Sequence, residues 1–291
     1  MVTNTFFTLP GHSMATLIID SGSSKADWRL VNDSGVSGFR TAGMNPYFTD
    51  APGMQQLIDS SLSFGFRHNE IENIFFYGAG CGAASKKGMV RAAFHSRFSS
   101  ANIVIETDLL GAARGLLQTE KGMIAILGTG TNTGLYDGKI IVKNIDSAGY
   151  FLGDEGSGAY LGKLFLRSWL RNELSREVNE KFNSEFHMNR EDVFEQLYQR
   201  PHPNRFLARF AVFIHANISD PHLKRLVAGS FDDFIGNLVS KYEGYRELSL
   251  FVTGSIAWFF RELFTERCNA LQVNIGSIVQ SPIDGLVKFH S

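Results

Sequence analysis

The sequence predicts an α/β chain made of two copies of one fold. Three observations carry this reading. Two stretches, residues 17–31 and 124–136, are near-equivalents: in each, an apolar run leads into a tight turn of Gly and hydroxyl residues, Asp20-Ser-Gly-Ser-Ser-Lys25 in one and Gly128-Thr-Gly-Thr-Asn132 in the other. A second strand-like run and a hairpin signal follow, Asp33-Ser-Gly35 and Asp137-Gly138. Behind each hairpin the patterning changes to strands alternating with helices. The length of 291 residues suits two domains of ordinary size, and 44% apolar residues are enough for full cores.

In chain order, residues 36–40 read as a third strand and Thr41-Ala-Gly-Met-Asn45-Pro46 as a loop, with Pro46 holding Asn45 extended. Residues 54–64 have apolar side chains at helical spacing. Residues 73–77 read as a strand that runs into Gly78-Ala-Gly-Cys-Gly82, and Ser85 is placed to cap a helix reaching Phe98. A strand over 102–105 is followed by a helix opening at Thr107-Asp108 and ending near Leu117. The first domain is accordingly set at residues 1–117, its first 13 residues a loose leader before Met14, and the second at 118–291. The second domain repeats the opening over 123–143 and then carries a helical insertion over about 156–242, in which Pro203 and Asp220-Pro221 mark helix starts. A strand over 248–252, the turn Thr253-Gly-Ser255, a helix over 256–267, a last strand over 273–279 and a short helix from Pro282 complete it.

Composition removes several function classes. A formal net charge of −1 with no basic block argues against nucleic acid or an anionic membrane as partner. The two cysteines, Cys81 and Cys268, fall outside any metal or disulfide spacing and are consistent with a reducing cytoplasm. No apolar run approaches the roughly 20 residues a membrane helix needs. A dinucleotide-binding or Walker-type loop must lead from strand into helix, and here both Gly-rich turns lead into strands.

The remaining chemistry is that of phosphate and hydroxyl recognition. Ser21, Gly22, Ser23, Ser24 and Lys25 offer backbone N–H groups, hydroxyls and an ammonium to phosphate oxygens, and Gly128, Thr129, Gly130 and Thr131 form the matching cradle. Asp20, at the end of the first strand, is a candidate for Mg²⁺ held through water. Each turn also has a plainer reading as an ordinary hairpin. Asp108 opens a helix after a strand, as an N-cap does and as a general base for phosphoryl transfer would. Asp154 and Glu155, in Gly153-Asp-Glu-Gly-Ser157, could satisfy helix N–H groups or accept bonds from sugar hydroxyls. Asn45 reads as an Asx turn or as another sugar contact. Small residues at Gly254, Ser255 and Ala257 allow either close helix–strand packing or the approach of a base.

Taken together these segments resemble the N-acetylglucosamine kinases and the ATPase family named for BadF, BadG, BcrA and BcrD, within the actin-like ATPase superfamily of sugar kinases, Hsp70 and hexokinase. Residues 20–27 resemble the first phosphate motif, usually Asp-Gly-Gly-Gly-Thr-Lys-Thr, with serines where two of the glycines stand. Thr107-Asp108 with Gly111-Ala112, Gly128 to Asn132, Gly153 to Ser157, Val252 to Ala257 and Ser281-Pro-Ile-Asp-Gly-Leu match the later motifs. The resemblance implies two duplicated ribonuclease H-like (actin-like ATPase) domains around a central nucleotide and substrate cleft, ATP and Mg²⁺ as cofactors, and transfer of the ATP γ-phosphate to the 6-hydroxyl of N-acetylglucosamine or a related sugar. It further implies Asp108 as base, and Asn45, Asp108 and Asp154 on the sugar; Glu155 is grouped with them as its neighbour. It suggests a homodimer. Two other functions fit the same motifs: an ATPase of the dehydratase-activator kind, and a degenerate sugar-binding module.

Overall fold

The computed structural model describes residues 15–61 and 70–291. The leader expected over residues 1–13 and the end of the helix expected over 54–64 therefore lie outside the described residues. The chain divides into two compact units, 1–108 and 109–291.

The first unit is built on one sheet. Strands β1 (Ala15–Ser21), β2 (Lys25–Asn32) and β3 (Gly35–Ala42) form an antiparallel meander, and β4 (Ile71–Gly78) and β5 (Asn102–Thr107) lie parallel to β1 on its other side, in the order β3-β2-β1-β4-β5. β1 reads Ala-Thr-Leu-Ile-Ile-Asp-Ser and is buried along most of its length, as befits a central strand flanked on both sides. Helices α1 (Ala51–Ser61) and α2 (Ala84–His95) cross over between β3, β4 and β5. Trp28, Phe39, Phe76, Phe94 and Phe98 fill the core, with the Trp28 and Phe39 rings stacked 5.2 Å apart. Helix α2 does not use Ser85 as its cap: its N-cap is Ala83, without a side-chain bond, and the helix stops at His95.

The second unit repeats this topology. Strands β6 (Gly122–Leu127), β7 (Thr131–Tyr136) and β8 (Ile141–Lys143) are antiparallel, and β9 (Ser249–Thr253) and β10 (Asn274–Val279) run parallel to β6 on its other side, giving β10-β9-β6-β7-β8. The helix α3 (Asp108–Leu117) packs Leu109, Leu110, Ala112, Ala113 and Leu117 against Ile124 and Tyr136 of this second sheet. For that reason the units meet at the start of α3, nine residues before the boundary at 117 that the sequence indicates. Burial of the apolar face of α3, not its chain continuity with β5, decides to which unit it belongs.

Between β8 and β9 come α4 (Gly149–Leu152), α5 (Gly158–Leu170), α6 (Arg176–Phe186), α7 (Arg190–Tyr198), α8 (Pro203–Ala208), α9 (Phe210–Ala216) and α10 (Pro221–Asn237). Their core is a phenylalanine cluster: Phe165 and Phe182 rings lie 5.0 Å apart edge-on, with Phe186, Phe206, Phe210 and Phe213 around them. Asp220 caps α10, accepting from the N–H groups of His222 and Leu223. The helix expected over 256–267 is two helices, α11 (Ser255–Phe259) and α12 (Arg261–Ala270), separated at Phe260, whose ring is buried. The terminal helix α13 (Ile283–His290) packs on α3 where Gly285 meets Gly115; a Cβ on Gly285 would sit 2.0 Å from the Gly115 carbonyl oxygen. That contact accounts for Gly285 within the Ser281–Leu286 motif. Among the described residues no helix is long and apolar enough to cross a membrane.

Candidate active site

In the first unit, the residues singled out in the sequence gather at the carboxyl edge of the parallel strands. Ser21, Gly78 and Thr107 stand side by side across β1, β4 and β5. Asp20 is thus one residue inside the edge and Asp108 one residue beyond it, on strands two spacings, or about 10 Å, apart. Both are half-buried. The carboxyl edge of an open α/β sheet is where such folds bind ligands.

The turn after β1 is closed by the Gly22 N–H donating to the Lys25 carbonyl at 2.9 Å. Ser21 is fully buried and its hydroxyl accepts from the Met44 N–H at 2.9 Å; the Ser23 hydroxyl accepts from Asn45 Nδ2 at 2.8 Å. Asn45 is 5% exposed, and its Oδ1 accepts from the Tyr47 N–H at 3.0 Å. The Asx turn is therefore real, and it lies beside the cradle. Lys25 stands at the exposed start of β2, 3.9 Å from Asp27, a carboxylate 2% exposed that also pairs with Arg40. The first cradle thus has its cation balanced by a buried acid. Among the described residues no group of three or more His, Cys, Asp or Glu is placed to hold a metal. Asp20 and Asp108 are the candidate acids at this edge, and so small a set suits an ion that keeps several waters and takes its other ligands from substrate phosphates.

In the second unit the Gly128-Thr-Gly turn joins β6 to β7, with the Gly128 N–H closing on the Gly130 carbonyl at 3.0 Å. The signature Gly153–Ser157 is fastened to it. Asp154, 7% exposed, accepts at Oδ1 from the Thr131 N–H (3.2 Å) and from the Ser147 hydroxyl (2.8 Å). The Thr131 hydroxyl donates to the backbone carbonyls of Asp154 and Glu155. Gly158 and Ala159, at the start of α5, donate back to Gly128 and Thr129. Gly130 is required here, since a Cβ would meet Asp154 Oδ2 at 2.8 Å. So Thr131, expected on the phosphates, directs its N–H and hydroxyl inward, and Asp154 serves the loop rather than a helix end. The cap of α5 is Ser157, whose hydroxyl accepts from the Tyr160 N–H. Burial pushes the Asp154 carboxyl above its ordinary range, against the pull of its two hydrogen bonds. Glu155 accepts from Asn237 Nδ2 at 3.0 Å. Burial lowers the pKa of Lys163, with Glu155 and Asp154 opposing the shift.

At the third candidate segment Gly254 has φ +114° and no room for a Cβ, which would lie 2.3 Å from the Leu127 carbonyl oxygen. The close-packing reading therefore holds at Gly254. Ala257 is fully buried in the core and presents nothing to a base; Ser255 is half-buried. Two residues were missed. Ser147 fixes Asp154 from a loop with no readable spacing. Asn132 sits inside the quoted motif and has its Oδ1 bonded by Thr133 N–H and Asn144 Nδ2. A cavity of about 410 Å³ in the second unit, bounded by Tyr150, Lys163, Leu166 and Tyr198, includes none of the candidate residues.

Among solved structures, the Putative N-acetylglucosamine Kinase of Porphyromonas gingivalis is similar with a TM-score of 0.90 and 38% identity, over 94% of this chain and 98% of that one. The chain belongs to the N-acetylglucosamine kinase family. Two more distant structures show the fold alone. The Putative N-acetylglucosamine Kinase of Chromobacterium violaceum matches with a TM-score of 0.67 and 16% identity over 96% of this chain and 100% of that one. A ROK family glucokinase from Streptomyces griseus, in complex with glucose and AMPPNP, matches with a TM-score of 0.53 and 14% identity over 94% and 98%. No family model matches the sequence, and no curated protein does.

The cysteines of this family member bear on the dehydratase-activator alternative. Cys81 and Cys268 are buried, in different units, and burial pushes both thiols up to about 12, with Asp108 adding to the rise at Cys81. A thiolate is the form that ligates metal or attacks disulfides. Neither thiol is expected to react with a thiol-selective disulfide reagent at pH 8 until the protein is denatured, when both should titrate. Prompt reaction of the native protein would show that these sites open.

Proposed function

We propose that this protein is an ATP-dependent amino-sugar kinase, transferring the γ-phosphoryl group of ATP to the 6-hydroxyl of N-acetylglucosamine or a close relative. The observation that carries the reading is the carboxyl edge of the first sheet. There Asp20, the serine-lined turn, Asn45 and Asp108 share one edge, with about 10 Å between the ends of the strands that bear the two acids. The 38% identical relative supports the substrate class by its name.

In this mechanism Asp108 takes the proton of the sugar 6-hydroxyl as the hydroxyl oxygen bonds to phosphorus and the bond to the β-phosphate oxygen breaks, releasing ADP. Asn45 contributes an oriented amide to a sugar hydroxyl, while Asp154, bonded to Thr131 and Ser147, holds the loop that carries Glu155. The backbone of Gly22 to Lys25 and of Gly128 to Gly130 cradles phosphate oxygens, and Thr131 holds the second cradle in shape. Ser255, half-buried beside Gly254, borders the adenosine. Asp20 would hold Mg²⁺ through water; when bound, the ion supplies charge neutralisation on the phosphates.

The test is ADP release coupled to a spectroscopic readout, run against N-acetylglucosamine, N-acetylmannosamine, glucosamine and glucose. The expected result is sugar-dependent release strongest with an N-acetylated sugar. ADP release that no sugar stimulates would favour the ATPase alternative, and no nucleotide turnover at all the sugar-binding one.

A further inference from the structure

The two serines of the first turn stand where the family's usual motif has glycine, and the structure shows where their hydroxyls go. Ser21 accepts from the Met44 N–H and Ser23 from the Asn45 side-chain amide, at 2.9 and 2.8 Å. Between them the Gly43 N–H donates to the Ser24 carbonyl at 3.2 Å, and Gly43 lies so close that a Cβ would fall 2.2 Å from the Gly22 carbonyl oxygen. The phosphate turn and the Asn45 loop are therefore one interlocked piece.

The amide of Asn45 has a settled orientation. The Tyr47 N–H requires an acceptor and takes Oδ1, so Nδ2 is the atom that faces Ser23. Gly80, at φ +79°, closes the far side: a Cβ there would sit 2.4 Å from Asn45 Oδ1. The loop is tied again at Pro46, whose carbonyl accepts from Lys86 Nζ at 2.9 Å. Among the described residues, the Asn45 amide is linked to this turn through the Ser23 hydroxyl. A hydroxyl accepts one hydrogen bond while donating another. Ser23 can thus hold Asn45 and a phosphate oxygen at once, which glycine cannot.

We propose that Ser23 is a positioning residue that couples the two substrates: nucleotide on the first turn fixes Ser23, Ser23 fixes the Asn45 amide, and sugar then binds an ordered group. The inference rests on the kinase reading above, in which Asn45 faces sugar and the turn faces phosphate. By linkage the effect is reciprocal, so sugar tightens nucleotide by the same factor.

The experiment is calorimetric titration of N-acetylglucosamine into the protein with and without saturating AMPPNP. It is run on wild type, Ser23→Ala, Ser23→Gly and Ser23→Thr. The readout is the ratio of the two sugar affinities, which is insensitive to a uniform loss of either ligand. Wild type is expected to bind sugar about tenfold more tightly with the analogue present, the scale of one hydrogen bond's net contribution. The ratio should fall to near one in the alanine and glycine variants and return in the threonine variant, which keeps a hydroxyl. A wild-type ratio of one, or an unchanged ratio in Ser23→Ala, overturns the inference alone. Failure of wild type to bind this or any other amino sugar overturns the kinase reading, and the inference with it.

Discussion

Replacing Asp108 with asparagine or alanine is expected to cut phosphoryl transfer by about three orders of magnitude while the protein still folds and binds AMPPNP. A positioned general base contributes roughly 10²–10⁴-fold, and Asp108 is the carboxylate that the fold presents just beyond the edge of β5. The residues that hold α3 in place are Leu109, Leu110, Ala112, Ala113 and Leu117, all buried, and none is touched by the change. Asp108 is also the acid in the first turn of α3, where a negative charge favours the helix by about 0.3–1 kcal/mol. Asparagine removes the base and that charge but keeps a polar group of the same shape, so a helix-end role predicts a small stability loss with turnover intact. The two roles separate by measuring turnover in the coupled assay, AMPPNP affinity by calorimetry and unfolding by urea. Turnover within tenfold of wild type in Asp108→Asn would remove Asp108 from the chemistry.

The duplicated fold was readable because its signals are local. Apolar runs, Gly-containing turns and hairpin dipeptides sit within a few residues of one another, and both sheets have the same strand order that the repeated opening implies. What was not readable depends on contacts between segments distant in sequence. The unit boundary follows from the face that α3 buries, and amphipathicity alone does not say against which sheet. The break at Phe260, with φ −100° and ψ 21°, interrupts a run with helical patterning on both sides. The serines of the first turn looked like lost glycines because their partners, Met44 and Asn45, lie more than twenty residues away. Asp154 stands out in the Gly153–Ser157 segment, but no spacing names its partners Thr131 and Ser147.

Asp154 is where that long-range wiring should have its largest effect on stability. Its carboxylate is 7% exposed and holds the Thr131 N–H and the Ser147 hydroxyl, and its backbone is left-handed at φ +60°. Alanine removes the oxygen that accepts both bonds, leaves the Thr131 N–H buried without this partner, and places a residue with no side-chain polar group in the left-handed region. The buried donor costs about 1–3 kcal/mol and the backbone about 1–2 kcal/mol. Asp154→Ala is therefore expected to lose about 3 kcal/mol and to loosen the turn over residues 128–131 with it. Asparagine adopts the left-handed region readily and keeps one oxygen acceptor, so its loss should be smaller. The pH dependence gives a second handle. Burial raises the folded-state pKa of Asp154 above 3.8, so between 3.8 and that value the folded protein binds more protons here than the unfolded chain does. Stability from this group is fully present at lower pH and falls as pH rises through that window. Asparagine does not titrate. In urea unfolding from pH 4 upward, Asp154→Asn should therefore gain on wild type as pH rises and then run parallel to it. A gap that moves the other way would mean the hydrogen bonds from Thr131 and Ser147 outweigh burial, and an alanine variant within 0.5 kcal/mol of wild type would mean that Asp154 does not hold the turn.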